Sequence, residues 1–207
     1  MITFPFSFWK NATAGVTYIL NDTFTEASLT ALTSHTMDVG SGAWSTTSNM
    51  SVGAGTGTTF IATPVSSGGG VRATNSFTPP SANYTVGIIG RTVVANVDNL
   101  LGVYGRYLDG GNNYYLYIYG DGTMKLFVKD GGAVTQLGST YTISGFSAST
   151  DYDISIVLSG SSISAKLTGS VVIGPVTNTV FAGAGIVGLF MQPVTTTSPT
   201  ATQFYVI

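Results

Sequence analysis

Few side chains in this sequence could carry out a reaction. Cleavage of a glycosidic bond needs two carboxyl groups on either side of the scissile bond, at least about 5 Å apart, yet the chain of 207 residues has a single glutamate, Glu26. Asp151 and Asp153 are spaced so that both carboxylates lie on one face of a strand. A D-x-D pair at the start of a strand is more typical of turn formation and solvation, so we do not expect a glycosidase.

Nucleophilic catalysis and redox chemistry lack their usual residues. His35 is the only histidine, it lies in the loop-like segment SHTMD, and no G-x-S-x-G motif accompanies it. A Ser-His-Asp triad is therefore not expected, and we expect the His35 ring to hydrogen-bond to backbone. The absence of cysteine removes disulfides, thiolate metal sites and thiol nucleophiles. The sequence thus predicts a protein that is not an enzyme and has no cofactor.

The charge pattern excludes some partners and favours others. Seven basic and nine acidic residues give a formal net charge of -2, with no basic stripe that could neutralise a run of phosphates, so nucleic acid is not an expected partner. No apolar stretch reaches the roughly 18 residues of a membrane helix. Only 8% of residues are charged, against roughly 25% in typical soluble domains, which favours a subunit of an assembly, with homo-oligomers expected.

Tyrosines recur at alternating positions in the middle of the chain. Tyr104, Tyr107, Tyr115 and Tyr117 combine apolar area with a hydroxyl group and could form a face that binds glycans, with Arg106 beside them. At the same spacing they could instead fill the core or rim of a β-sandwich. The sequence leaves both interpretations open, and pairing of Arg106 with an acidic residue such as Asp109 is an alternative to contact with a glycan.

The segments that position these residues have strand patterns, and helical periodicity is close to absent. The sequence predicts one hairpin from Tyr114–Tyr119 and Thr123–Lys129, with positive φ at both central residues of its Asp-Gly turn, and a second that turns at Gly160-Ser161. About a dozen strands predict an all-β protein, a two-sheet antiparallel jelly-roll sandwich. The other predicted strands are Trp44–Val52, Thr58–Ala62, Val71–Phe77, Thr85–Val94, Leu100–Tyr107, Val134–Leu137, Gly185–Met191 and Thr202–Ile207.

The N-terminal segment differs from the rest of the chain. Phe4, Phe6, Phe8 and Trp9 lie before the polar linker KNATAG. Four aromatic side chains bury roughly 150–250 Å² each, so their removal from water stabilises a contact by several kcal/mol at about 25 cal/mol per Å². We therefore predict an extended arm over residues 1–15 that docks on a neighbouring subunit, and a sandwich domain over residues 16–207. Folding of the arm onto its own sandwich is the alternative.

The order of segments resembles that of concanavalin A-like (laminin-G-like) domains over roughly residues 20–207. The resemblance rests on Asp22 to Phe24, LTSHTMDVG at Leu32–Gly40, Trp44, the stretch Gly102–Ala133, the hairpin Tyr152–Gly169 and the closing strands Gly185–Met191 and Phe204–Val206. It implies a fold used by lectins, glycoside hydrolases and adhesion modules. Some members hold calcium, and by this resemblance Asp22, Glu26 and Asp38 are candidate calcium ligands, although Thr202 to Phe204 lacks the acidic residue common there.

The aromatic segment F-x-F-W-K before such a sandwich is similar to small virion proteins of tailed bacteriophages. This similarity predicts a non-enzymatic virion structural protein, such as a capsid decoration, fibre or tail-associated subunit. Other virion subunits and host-surface glycans are then the expected partners, with no membrane insertion, and the virion is the expected location. The alternative function is a carbohydrate-binding, lectin-like module that uses the Tyr-rich sheet.

Overall fold

The computed structural model describes residues 16–26, 28–53, 60–62, 69–194 and 198–207, of which 60–62 are described by their backbone alone. These residues form sixteen β-strands and a single 3-10 turn, Leu32–Ser34. The strands are β1 Leu20–Asp22, β2 Thr30–Ala31, β3 Trp44–Thr46, β4 Met50–Val52, β5 Phe60–Ala62, β6 Val71–Asn75, β7 Tyr84–Arg91, β8 Leu100–Asp109, β9 Asn112–Tyr119, β10 Thr123–Asp130, β11 Ala133–Thr142, β12 Tyr152–Ser159, β13 Ser162–Leu167, β14 Ser170–Thr177, β15 Ile186–Gln192 and β16 Thr200–Val206.

The strands build two antiparallel sheets that pack face to face. Within the described residues, one sheet has nine strands in the order β14-β13-β12-β7-β16-β5-β4-β2, with β1 paired to β16. The other has seven strands in the order β11-β10-β9-β8-β15-β6-β3. The prediction of an all-β, two-sheet antiparallel sandwich is confirmed. No helix among the described residues has both the length and the apolar composition that crossing a bilayer requires.

Alternating side chains explain why the two sheets pack together. On β9, the side chains of Tyr114, Leu116 and Ile118 are fully buried and face the nine-stranded sheet. Val86 and Leu158 approach from that sheet, since a Cβ placed on Gly105 of β8 would lie 3.3 Å from one and 2.8 Å from the other. At about 1.5–3 kcal/mol for each fully buried large apolar side chain, this interior is the main source of stability.

The predicted strands agree with the structure in the middle of the chain and at its C-terminal end, and they differ mainly in the N-terminal part. Both predicted hairpins form, as β9–β10 and β12–β13. The predicted strand Trp44–Val52 is two strands, β3 and β4, which belong to different sheets. β1, β2 and β14 were not predicted. In the turn before β10, Gly122 has positive φ and Asp121 does not, because the Asp121 carboxylate accepts hydrogen bonds from the Thr123 amide and hydroxyl instead.

A β-bulge near the end of β8 turns the side chain of Arg106 into the protein. The pairing of β8 with β9 shifts register between Gly105 and Asp109, and Arg106 has a φ of 44°. Regular alternation would place Arg106 on the outer face with Tyr104, but the bulge reverses its direction. The side chain is 1% exposed.

The buried guanidinium of Arg106 holds three loops together. It donates hydrogen bonds to the backbone carbonyls of Phe181 (2.6 Å), Ala82 (2.9 Å) and Gly160 (2.9 Å). The Arg106 amide donates to the Tyr84 hydroxyl at 2.6 Å. Arg106 therefore pairs with backbone rather than with Asp109, and it is not available to a glycan on the outer face.

We predict that Arg106→Met lowers the free energy of unfolding by about 3–5 kcal/mol, because removal of a buried charged donor leaves three carbonyls without their partner. The measurement is urea unfolding followed by circular dichroism. Arg91→Gln is the control: Arg91 forms a partly exposed ion pair with Asp151 at 3.2 Å, worth about 1 kcal/mol or less. Equal effects of the two substitutions would contradict the role assigned to Arg106.

Candidate functional site

Aromatic side chains cover the outer face of the seven-stranded sheet. Antiparallel pairing places them in cross-strand rows: Phe190, Gly102 and Tyr117 form one row, and Tyr104, Tyr115 and Phe127 form the next. Side chains at alternating positions of each strand share this side, opposite to the core. We call this surface the aromatic face, and its rings are those of Tyr104, Tyr107, Tyr115, Tyr117, Tyr119, Phe127 and Phe190.

The rings of the aromatic face contact one another. Tyr117 stacks with Phe190 at 5.1 Å between ring centroids, and Tyr115 stacks with Phe127 at 4.9 Å. The hydroxyls of Tyr104 and Tyr117 lie 2.9 Å apart and share a hydrogen bond. Tyr104 and Tyr115 are only 6% and 8% exposed, while the other rings are half-buried.

Two glycines allow these rings to lie close to the backbone. A Cβ on Gly102 would come within 2.2 Å of the Tyr117 ring and 2.3 Å of the Leu116 carbonyl oxygen. A Cβ on Gly70 would come within 1.8 Å of the Phe190 ring. Any side chain at either position would displace a ring, so the glycines are a requirement of this surface.

A pocket of about 240 Å³ opens on the aromatic face. The rings of Tyr104, Tyr115, Tyr117 and Phe190 line it together with Arg72, Asn113 and Lys129, with Gly70 and Gly110 at its edge, and most of its accessible surface is polar. No aspartate or glutamate is among the described residues that line it.

Asn113 contributes a buried acceptor to this pocket. Its side chain is 1% exposed, and its Nδ2 donates to the Asp109 carbonyl oxygen at 2.9 Å. Because a carbonyl can only accept, this bond fixes the orientation of the amide. The Oδ1 atom then has no hydrogen-bond partner among the described residues. A buried acceptor without a partner costs free energy, and a donor that reached this atom would recover that cost.

Burial affects the acidity of three tyrosines on this face. Burial raises the pKa of Tyr104 and of Tyr115 to about 12, and burial raises the pKa of Tyr117 well above its usual value. Each phenol therefore keeps its proton at physiological pH and can donate a hydrogen bond as well as accept one.

The structure brings together four of the five residues that the sequence predicts for a glycan site. Tyr104, Tyr107, Tyr115 and Tyr117 share the aromatic face, with Tyr107 placed there by the bulge, 5.6 Å from the Tyr104 ring centroid. Arg106 is the exception described above. The sequence prediction missed four residues of the pocket that are not tyrosines: Arg72, Asn113, Lys129 and Phe190.

The predicted calcium ligands Asp22 and Glu26 bind a histidine instead. His35 Nε2 lies 2.7 Å from Asp22 Oδ1, and His35 Nδ1 lies 2.7 Å from Glu26 Oε1. Asp22 also accepts from the Trp44 indole at 2.9 Å and from the Phe24 amide at 2.8 Å. The prediction that the His35 ring hydrogen-bonds to backbone was wrong, because both ring nitrogens form hydrogen bonds with carboxylates.

These residues do not fit a calcium ion. An imidazole lies between two of the three candidate carboxylates, and the third, Asp38, accepts from the Thr23 amide (2.7 Å) and hydroxyl (2.6 Å). Calcium requires six to eight oxygen ligands, and no cluster of acidic, histidine or cysteine residues in the described part of the chain is arranged to hold a metal.

The two aspartates considered for hydrolysis have separate partners. Asp151 pairs with Arg91, whereas Asp153 accepts a hydrogen bond from the Tyr205 hydroxyl at 2.7 Å. Asp153 lines a different pocket, of about 400 Å³, on the outer face of the nine-stranded sheet, together with Lys166 and Tyr18. The predicted arm residues Phe4, Phe6, Phe8 and Trp9 lie outside the described residues.

Comparisons with known proteins show similarity of fold. No protein-family model matches the chain, and no curated protein matches it in sequence. The carbohydrate-binding module CBM66 from Bacillus subtilis is 14% identical, with a TM-score of 0.54, over 86% of this chain and 95% of that one. The Ca²⁺-bound exoplasmic/lumenal domain of VIP36 is 10% identical, with a TM-score of 0.64, over 87% of this chain and 89% of that one. The metal-free carbohydrate recognition domain of Emp46p is 8% identical, with a TM-score of 0.60, over 79% and 87%.

These similarities define the fold class of the chain. It is an all-β jelly-roll sandwich whose structural neighbours include a carbohydrate-binding module and a carbohydrate recognition domain. This result agrees with the resemblance to concanavalin A-like domains in fold. Identities of this size say nothing about which residues bind a ligand, so the function has to be argued from the aromatic face itself.

We predict that stability falls as the pH rises above about 6.5, the ordinary pKa of histidine. Burial alone lowers the pKa of His35, but the hydrogen bonds to Glu26 and Asp22 outweigh it and raise the pKa. The stabilisation is therefore complete below the unfolded-state pKa and is lost as the pH rises through the folded-state pKa, at about 1.4 kcal/mol for each unit of difference.

The measurement is urea unfolding between pH 6 and 9, with His35→Gln as the comparison. The variant is expected to be less stable at pH 6 and to lose this pH dependence. An unchanged dependence in the variant would show that other groups cause it.

Proposed function

We propose that this protein is a non-enzymatic carbohydrate-binding module and that the aromatic face is its binding surface. One observation carries the proposal: a pocket lined by aromatic rings also includes Asn113 in its lining, and the buried Oδ1 of Asn113 has no partner among the described residues. Sugar rings combine apolar C–H surfaces with hydroxyl donors, and this pocket provides contacts for both. The similar structures, which their descriptions call a carbohydrate-binding module and a carbohydrate recognition domain, support the same class.

The size and chemistry of the pocket suit a sugar better than a purely apolar ligand. Its volume of about 240 Å³ corresponds to about eight water molecules at their share of liquid volume, a size that suits one sugar ring. The phenols of Tyr104 and Tyr117 keep their protons and add hydrogen-bonding groups beside the aromatic rings. Sites for small molecules usually combine apolar walls with a few polar groups that set orientation.

The arrangement of carboxylates supports binding without hydrolysis. Asp151 forms an ion pair with Arg91, and Asp153 accepts a hydrogen bond from Tyr205. Neither aspartate lines the pocket of the aromatic face. Glu26 bonds to His35. None of these carboxyl groups forms a pair across the site in which we place the sugar.

We predict that Tyr117→Ala and Phe190→Ala each weaken sugar binding about tenfold or more, because central aromatic side chains dominate binding free energy. A glycan array on the full chain identifies the sugar, and isothermal titration calorimetry measures the affinity. Tyr18→Ala is the matched control, because Tyr18 lies on the outer face of the other sheet. Thermal unfolding checks that each variant is folded. Unchanged affinity in both aromatic-face variants, or an equal loss in Tyr18→Ala, would contradict the proposal.

The virion prediction is a separate proposal that depends on residues 1–15, outside the described structure. Its support is in the sequence: four aromatic residues between Phe4 and Trp9 and a charged fraction of 8%. Both functions are compatible, since the proposed arm and the aromatic face belong to different parts of the chain. The arm would dock on a neighbouring virion subunit, and the sandwich would be exposed to surface glycans.

We predict that the full chain forms a homo-oligomer and that a variant without residues 1–15 is a monomer that keeps its sugar affinity. The reason is that the apolar surface of the four aromatic residues drives association. Light scattering after gel filtration gives the masses. The same number of subunits in the two proteins would contradict a docking arm and would leave the sugar proposal intact.

A further inference from the structure

Three of the basic residues of this chain share one surface. Arg72, Lys125 and Lys129 are three of its seven lysines and arginines, and strand alternation places all three on the aromatic face. Arg72 lies over the Tyr107 ring at 5.6 Å and Lys125 over the Tyr119 ring at 4.9 Å. Within the described residues, none of these three cations has a carboxylate within 4.0 Å.

The acidic residues near this surface bond to other groups or lie at its turns. The Asp109 carboxylate accepts from the Asn112 side chain (2.9 Å) and the Gly111 amide (2.7 Å), and these bonds, more than Arg72, lower its pKa. Asp121 accepts from Thr123 in the turn before β10. Asp130 is exposed at the end of β10. None of the three lines the pocket.

The charged side chains that line the pocket are therefore all positive among the described residues. Arg72 and Lys129 line it, and no described acidic residue does. The pocket on the other sheet differs, because Asp153 and Lys166 both line it and balance each other. Within a chain of net charge -2, a pocket with two cations and no anion favours a negatively charged ligand.

We propose that the aromatic face selects acidic saccharides, sugars that carry a carboxylate or sulfate group, over neutral ones. This inference rests on the proposed function and names its ligand class. The acid group pairs with Arg72 and Lys129, a sugar hydroxyl donates to Asn113 Oδ1, and the rings of Tyr117 and Phe190 contact the apolar side of the sugar. Guanidinium groups suit such anions because they donate two parallel hydrogen bonds.

The test uses the full chain and ligand pairs that differ in the acid group: oligogalacturonate and its methyl ester, sialyllactose and its methyl ester, and dextran sulfate and dextran. Calorimetry should show at least one acid bound about tenfold more tightly than its neutral partner, as expected for one strong charged contact. The carboxylate pairs and the sulfate pair tell the two kinds of acid group apart.

Arg72→Gln and Lys129→Gln test the residues directly. Each should weaken binding of the preferred acid about tenfold and change binding of the neutral partner by about twofold or less. Lys166→Gln is the matched control, since it makes the same chemical change in the pocket on the other sheet, and it should have no effect.

The outcomes separate this inference from the proposed function. Equal or tighter binding of the neutral partners, with loss of binding in Tyr117→Ala, would overturn the selection of acidic sugars and leave carbohydrate binding intact. An equal loss in Lys166→Gln would also overturn it, because the effect would then come from overall charge. Absence of binding to every sugar on the array would overturn the proposed function and this inference with it.

Discussion

The two-residue alternation of the central strands connects the core of this protein to its binding surface. On β9, Tyr114, Leu116 and Ile118 fill the core, while Tyr115 and Tyr117 occupy the outer face. A shift of one residue in the pairing would exchange the two sets. The apolar burial that stabilises the sandwich therefore also fixes the positions of the rings outside it.

The bulge at Arg106 is the place where this alternation is interrupted, and it has two effects. It sends the guanidinium inward to three loop carbonyls, which stabilises the end of the sandwich. It also places Tyr107 on the outer face, beside Arg72. The bulge thus stabilises the core through Arg106. It also adds the Tyr107 ring to the aromatic face, where that ring contacts Arg72. Bulges often redirect side chains in this way near functional sites.

The sequence was most informative where the deciding interactions are local. Alternation within β9 and β10 predicts the hairpin and places Tyr115 and Tyr117 on one side of β9. It also places Lys125 and Lys129 on one side of β10. Phe190 and Arg72 could not be placed, because they join the site through the pairing of β15 with β8 and β6, strands distant in sequence. The direction of Arg106 depends on a bulge that has no clear sequence signal. The partners of His35 depend on loop packing, which is equally non-local.

The packing of the rings indicates which contacts decide selectivity. Tyr117 stacks on Phe190 and Tyr115 on Phe127, so part of each ring surface is already covered by its neighbour and less remains for a ligand. The same contacts hold the rings in place before binding, which reduces the conformational entropy lost when a ligand is bound. Apolar contact is then preorganised but limited in area. Discrimination between sugars falls to the polar groups among the rings, Asn113 Oδ1 and the two cations, because a polar group left without its partner costs more than a lost apolar contact of the same size.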